Sequence, residues 1–193
     1  MLAGALVLTG APAGVSAADV EAGRRKAEPC AACHGPGGHS RNPLAPSLAA
    51  QPLFYLHWQL ILFRDQRRKD PQMSPFAATL SDADMGDLAA YYTAQPPAPP
   101  PSPGAPDPET VAAGEGLARA HHCSSCHAPT FAGQQYAPRL RGLAYEYLLK
   151  QLRGFKAQTR GELDGSMTTA AQPLSGEDIE RLARYLGTLP AQP

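Results

Sequence analysis

The same short signature occurs twice in this chain: Cys30-Ala31-Ala32-Cys33-His34 and Cys123-Ser124-Ser125-Cys126-His127. No other cysteines are present. Two thiols three positions apart on one helical turn face the same way, so they can form thioethers to the two vinyl groups of one porphyrin. The adjacent histidine then projects its imidazole towards the iron. Two Cys-x-x-Cys pairs also admit a four-thiolate zinc site or a disulfide framework. A single zinc would need both halves of the chain to meet at the metal, and it leaves the two following histidines without a role. Two covalent haem c groups account for all six residues.

The rest of the chain repeats with these motifs. Cys30 matches Cys123 at an offset of 93, Gln59-Leu60-x-x-Phe63 matches Gln151-Leu152-x-x-Phe155 at 92, and Leu80-Ser81-x-x-Asp84 matches Leu174-Ser175-x-x-Asp178 at 94. Between the copies, eight of the fifteen residues of 94–108 are proline, which favours an extended, semi-rigid spacer. The expected organisation is a domain over 19–93, the Pro-rich linker 94–108 and a second domain over 109–193. Residues 1–18 are small and apolar and end in small-x-small cleavage patterns, as in a secretory signal peptide, with a retained N-terminal anchor as the alternative.

Apolar residues recur at three- and four-residue spacing, and no alternating run suggests a sheet. Helices are expected over Val20–Ala27, Leu53–Arg68, Ser81–Ala94, Thr110–Ala120, Tyr145–Thr159 and Ser175–Leu189. The two Ser-x-x-Asp starts read as capping boxes. Lys plus Arg and Asp plus Glu both number 17, so the formal net charge is zero and a basic nucleic-acid footprint is absent.

A sixth iron ligand must come from elsewhere in each half. Met73 lies 39 residues after His34, and Met167 lies 40 after His127. These matched methionines are the expected distal ligands. Met85 is the competitor, but it follows the cap Ser81 by four positions in a staple geometry, and its repeat partner Ile179 cannot bind iron, so it is expected in the core. His39, in a glycine-rich loop, is expected to be solvated; His57, His121 and His122 have no counterparts in the repeat. Arg68 and Arg160, matched at 92, either pair with haem propionates or are solvated helix-end residues. Tyr91 and Tyr185 should pack on the first helix of each half near Gly23 and Gly114. Pro46 and Pro138, also matched, are loop prolines placed to reach the histidines or merely to shape the loop.

Together, the two haem motifs with Met73 and Met167, the two Gln-Leu-x-x-Phe helices, and the two Leu-Ser-x-x-Asp helices ending in Ala89-Ala90-Tyr91 and Ala183-Arg184-Tyr185 make the chain resemble the tandem dihaem class I cytochromes c of the cytochrome c4 type. The resemblance covers essentially all of 19–190. It implies two small all-α domains in which first and last helices cross, haems near the domain interface, and a proline carbonyl (Pro46, Pro138) accepting a hydrogen bond from each proximal histidine. It also implies a periplasmic carrier, free or loosely membrane-associated, taking electrons from a quinol-oxidising cytochrome bc complex and passing them to a terminal oxidase. His/Met ligation fills both axial positions and raises the potential, so the expectation is an electron carrier, not an enzyme. The alternative is the haem-bearing subunit of a multi-subunit oxidoreductase of the flavin-linked sulfide dehydrogenase or alcohol dehydrogenase type. For a two-haem relay, the linker must let the halves dock.

Overall fold

A computed structural model describes residues 18–97 and 107–191. The expected signal peptide (1–17 of it) and most of the linker (98–106) lie outside the described residues. Among those described, the chain is all-α, with ten α-helices, one short 3-10 helix (Pro36–Gly38) and no strand. In the first half these are α1 (Val20–Lys26), α2 (Ala31–His34), α3 (Leu53–Arg64), α4 (Met73–Ala77) and α5 (Asp82–Thr93). The second half repeats them as α6 (Pro108–Ala120), α7 (Cys123–His127), α8 (Tyr145–Lys156), α9 (Ser166–Ala171) and α10 (Gly176–Thr188).

Sequence explains most of the boundaries. Asp19 caps α1 by accepting from the Glu21 and Ala22 amides, and Asp107 caps α6 through the Thr110 amide. Ser81 with Asp84, and Ser175 with Asp178, form the two expected capping boxes. The helices α3 and α8 stop earlier than their periodicity suggests. Gln66 and Gln158, equivalent in the repeat, both take a left-handed φ of 57°. That reversal satisfies the last carbonyls: Arg68 N–H reaches Leu62 O at 2.9 Å and Thr159 N–H reaches Gly154 O at 2.9 Å. The residues expected in the last turns are thereby swung off the helix axes, Arg68 and Arg160 among them.

In each half the first and last helices cross, α1 on α5 and α6 on α10, and α3 or α8 packs against the last helix. The crossings close at a glycine. A Cβ on Gly23 would sit 2.1 Å from Asp87 O, and one on Gly114 would sit 2.4 Å from Tyr185 Cβ. Tyr91 and Tyr185 pack at these points as expected. Met85 and Ile179 are both wholly buried, which makes Met85 a core residue.

The two halves touch along α3, α8 and the loops that follow them. A Cβ on Gly161 would lie 1.6 Å from Arg67 O, so the two loops meet backbone to backbone. Lys150 reaches Asp70 at 3.3 Å, and the Phe54 and Tyr136 rings stack with centroids 5.4 Å apart.

Candidate haem-binding sites

Each histidine of the repeated motif ends a short helix that opens at a cysteine. His34 and His127 are both 5% exposed. His34 Nδ1–H donates to Pro46 O at 2.8 Å, and His127 Nδ1–H donates to Pro138 O at 2.8 Å. A carbonyl only accepts, so the proton sits on Nδ1 and Nε2 keeps its lone pair. Burial also pushes both imidazoles below their usual range, favouring the neutral ring that binds a metal. The matched prolines therefore do reach the histidines.

All four cysteines are unbridged; Cys30 and Cys123 are half-buried, Cys33 and Cys126 exposed. Burial raises the thiol pKa of Cys30 and Cys123. Among the described residues no group of three or more His, Cys, Asp or Glu side chains converges, so the two pairs do not meet as one zinc site requires.

Met73 and Met167 lie in the equivalent short helices α4 and α9, both half-buried. A carboxylate pins each backbone. Asp70 accepts from the Met73 amide at 3.1 Å, and Glu162 accepts from the Met167 amide at 2.8 Å. Sequence reading missed both acids; an acidic residue shortly before a matched methionine was the available signal.

The expectation that Arg68 and Arg160 are either solvated or haem-facing needs correction on its first arm. At the contact between halves Arg68 is buried and Arg160 half-buried. Arg68 donates to Gln151 Oε1 at 2.9 Å, to Tyr147 OH at 3.3 Å and to Gln59 Oε1; Arg160 donates to Tyr55 OH at 3.4 Å. The guanidinium groups also cover the Phe63 and Phe155 rings, at 4.5 and 4.1 Å. Tyr55/Tyr147 and Gln59/Gln151 are repeat partners, so this cluster has two-fold character. Among the described residues no carboxylate joins it. Burial and then Arg68 push the Arg160 guanidinium below its usual range. His39 also departs from expectation: it is half-buried and its Nε2 donates to Pro96 O at 2.8 Å.

These residues fit a covalently held haem. Each site offers two free thiols, one oriented neutral imidazole and a thioether sulfur on a following helix. Large apolar side chains stand in the open near these loops, notably Phe76, one turn past Met73 and 58% exposed. Arg160 Nε and Arg139 Nη2 are buried without a hydrogen-bond partner, as suits guanidinium groups facing an anion the protein does not itself supply. No helix among the described residues is long and apolar enough to cross a membrane.

Comparison with known proteins agrees with this geometry. Residues 111–190 match the family model "Cytochrome c", and residues 18–91 match "Cytochrome C oxidase, cbb3-type, subunit III". Cytochrome c4 of Thiocapsa roseopersicina is 41% identical over 180 residues, covering 87% of this chain and 91% of that protein. A protein of Thiomonas intermedia strain K12 described as a thiosulfate dehydrogenase electron acceptor is 35% identical over 194 residues, covering 95% of this chain and 86% of that one. The crystal structure of reduced recombinant cytochrome c4 from Pseudomonas stutzeri superposes with a TM-score of 0.80 at 35% identity, over 90% of this chain and 100% of that one. The chain thus belongs to the cytochrome c4 family, electron-transfer cytochromes with tandem c-type domains that bind haem c.

Proposed function

We propose that the chain is a periplasmic carrier with one covalent haem c in each half. Cys30 and Cys33 would hold the first haem through thioethers, with His34 and Met73 offering a nitrogen and a sulfur to its iron; Cys123, Cys126, His127 and Met167 would do the same for the second. Bound haem would supply a one-electron ferric/ferrous couple, and ligation by a methionine thioether together with a histidine imidazole would raise its potential. The observation that supports this most directly is the pair of buried histidines with Nδ1–H fixed on Pro46 and Pro138 and Nε2 left free. The carbonyl bonds set each ring's tautomer and plane. Asp70 and Glu162 fix the methionine-bearing turns, and burial of the rings limits water at the ligand positions. Arg68, Arg160 and Arg139 supply positive charge for the propionates.

The expected donor is a quinol-oxidising cytochrome bc complex and the expected acceptor a terminal oxidase. The Thiomonas relative favours a second reading, in which the chain accepts electrons from a thiosulfate-oxidising dehydrogenase. Mass spectrometry of the mature protein should show the polypeptide plus two haems. Met73→Ala or Met167→Ala should each abolish the weak methionine–ferric charge-transfer band of one haem, while Met85→Leu leaves it intact. Stopped-flow reduction by each donor separates the two readings: rapid reduction only by the dehydrogenase with thiosulfate would displace the quinol-linked role.

A further inference from the structure

The peptide that orients His127 is held from the other half of the molecule. Its carbonyl, Pro138 C=O, accepts from His127 Nδ1–H at 2.8 Å. The N–H of that same peptide, on Arg139, donates to Gln51 Oε1 at 3.0 Å. The Gln51 amide completes the pair by donating from Nε2 to Arg139 O at 2.9 Å. Gln51 is 3% exposed and Arg139 8%, so water does not compete for these bonds. Gln51 is itself anchored. Its carbonyl accepts from Thr93 Oγ1 at 2.9 Å at the end of α5, and its amide bonds to Leu48 O at 3.2 Å.

The arrangement runs in one direction only. In the repeat, Gln51 corresponds to Leu143, a buried core residue with no polar side-chain atom. Leu143 therefore cannot clamp the Pro46–Ser47 peptide that holds His34. That loop is tied within its own half, where the Ser47 hydroxyl accepts from Ser40 N–H at 3.2 Å.

We propose that Gln51 is a positioning residue for His127: it polarises the Pro138–Arg139 peptide, strengthens the hydrogen bond to the ring, and makes the second site's ligand field depend on docking of the first half. A peptide whose N–H is engaged is the better acceptor at its carbonyl, by about 10–30% per bond in a chain of hydrogen bonds. A stronger bond at Nδ1–H puts electron density on the ring and makes Nε2 the more basic ligand. A more basic ligand favours ferric iron, so the clamp lowers the potential of the second site alone. The proposal rests on the reading of His127 as an axial ligand.

The test uses the full haem-bearing chain as wild type, Gln51→Leu and Gln51→Glu. Redox titration gives two midpoints, and the Met167→Ala variant identifies the one belonging to the His127 site. Gln51→Leu should raise that midpoint and leave the other in place, and should speed hydrogen exchange at His127 Nδ1–H roughly fivefold or more. Gln51→Glu keeps an acceptor for Arg139 N–H and should move the same midpoint downward. Equal movement of both midpoints, or an unmoved His127 midpoint with both haems retained, would overturn the proposal. Should the leucine variant not fold, wild-type exchange decides alone. His127 Nδ1–H and the Arg139 amide must exchange more slowly than His34 Nδ1–H and the Ser47 amide, and equal rates overturn it. Wild-type haem content separates the outcomes: failure to load haem at His127 defeats the ligand assignment, whereas a loaded site with an unmoved midpoint defeats only the role of Gln51.

Discussion

The two halves of this molecule share a fold and a motif but close their helix crossings by different means. In the first half the crossing is electrostatic as well as steric. Lys26 on α1 lies 2.6 Å from both Asp84 and Asp87 on α5, and the Asp19 amide donates to Asp87 at 2.7 Å. In the second half α6 is nearly twice as long as α1, and the ion pairs of α10, Arg181–Glu177 and Arg184–Glu180, run along that helix and leave the crossing to packing. There Phe131 meets Tyr185 edge-on at 6.2 Å, within a continuous apolar core. A duplicated fold thus keeps the steric requirement fixed and lets the supporting chemistry drift.

The glycines of the two crossings give the largest expected effect. Gly23→Ala would drive a methyl into Asp87 O, and Gly114→Ala into Tyr185 Cβ and Arg181 O. Neither obstacle is the end of a flexible side chain, so the helices must part, at a cost of about 1–3 kcal/mol or more. Gly116, two residues along α6, has nothing within 4 Å of its added Cβ. Gly116→Ala should instead stabilise, by up to about 1 kcal/mol, through helix propensity. Thermal melts of the haem-bearing variants test this. A Gly23→Ala protein as stable as wild type would show that the first crossing is looser than the second.

A smaller difference is expected between the matched arginines. Arg68 satisfies Gln59, Gln151 and Tyr147, and removing it leaves buried polar groups unpaired, at about 1–3 kcal/mol. Arg160 makes one long bond to Tyr55 and keeps an unpaired Nε beside a like charge. Arg68→Ala should therefore loosen the docked halves more than Arg160→Ala, read as the radius of gyration in small-angle scattering and as the melting midpoint. Equal losses would mean that a propionate on Arg160 contributes as much as the three protein bonds of Arg68.

These cases mark what was legible in the sequence. The fold class, the packing of Tyr91 and Tyr185 near Gly23 and Gly114, the capping boxes and the buried role of Met85 all follow from short-range pattern and from the repeat, while the helix crossings were implied by the resemblance. Pro46 and Pro138 could be aligned by the repeat, but their bonds to the histidines came from the resemblance, since no local rule joins residues a dozen positions apart. That the halves dock was expected, but the residues of their contact were illegible. Gln51 and Arg139 are 88 positions apart, and nothing local distinguishes a glutamine that clamps a distant peptide from one that is solvated. The arginines were seen as a matched pair, yet the left-handed turns at Gln66 and Gln158 that bury them occur at residues with no special preference for that conformation.

The smallest expected effect is a difference in acid response between the two crossings. Asp84 is held at about 2, chiefly by its bond to Lys26 and then by Ser81, and Asp87 is lowered by the same lysine. A carboxylate whose folded pKa lies below the unfolded value of about 3.9 adds stability above that value. The contribution is lost as pH falls from about 4 towards 2. Asp178 is also lowered, but chiefly by Ser175, its own capping partner. Capping is common to both halves and cancels in the comparison, which leaves the Lys26 link. All these groups are solvent-accessible, so the difference is modest and should shrink with added salt. An NMR titration of the α1 and α6 amides from neutral to acid pH should show α1 loosening first at low salt. Lys26→Gln should loosen α1 already at neutral pH and shrink its acid response to that of α6, without moving α6. If α1 and α6 loosen together in the wild type, the lysine link does not set the first crossing apart, and the two halves are held by packing alike.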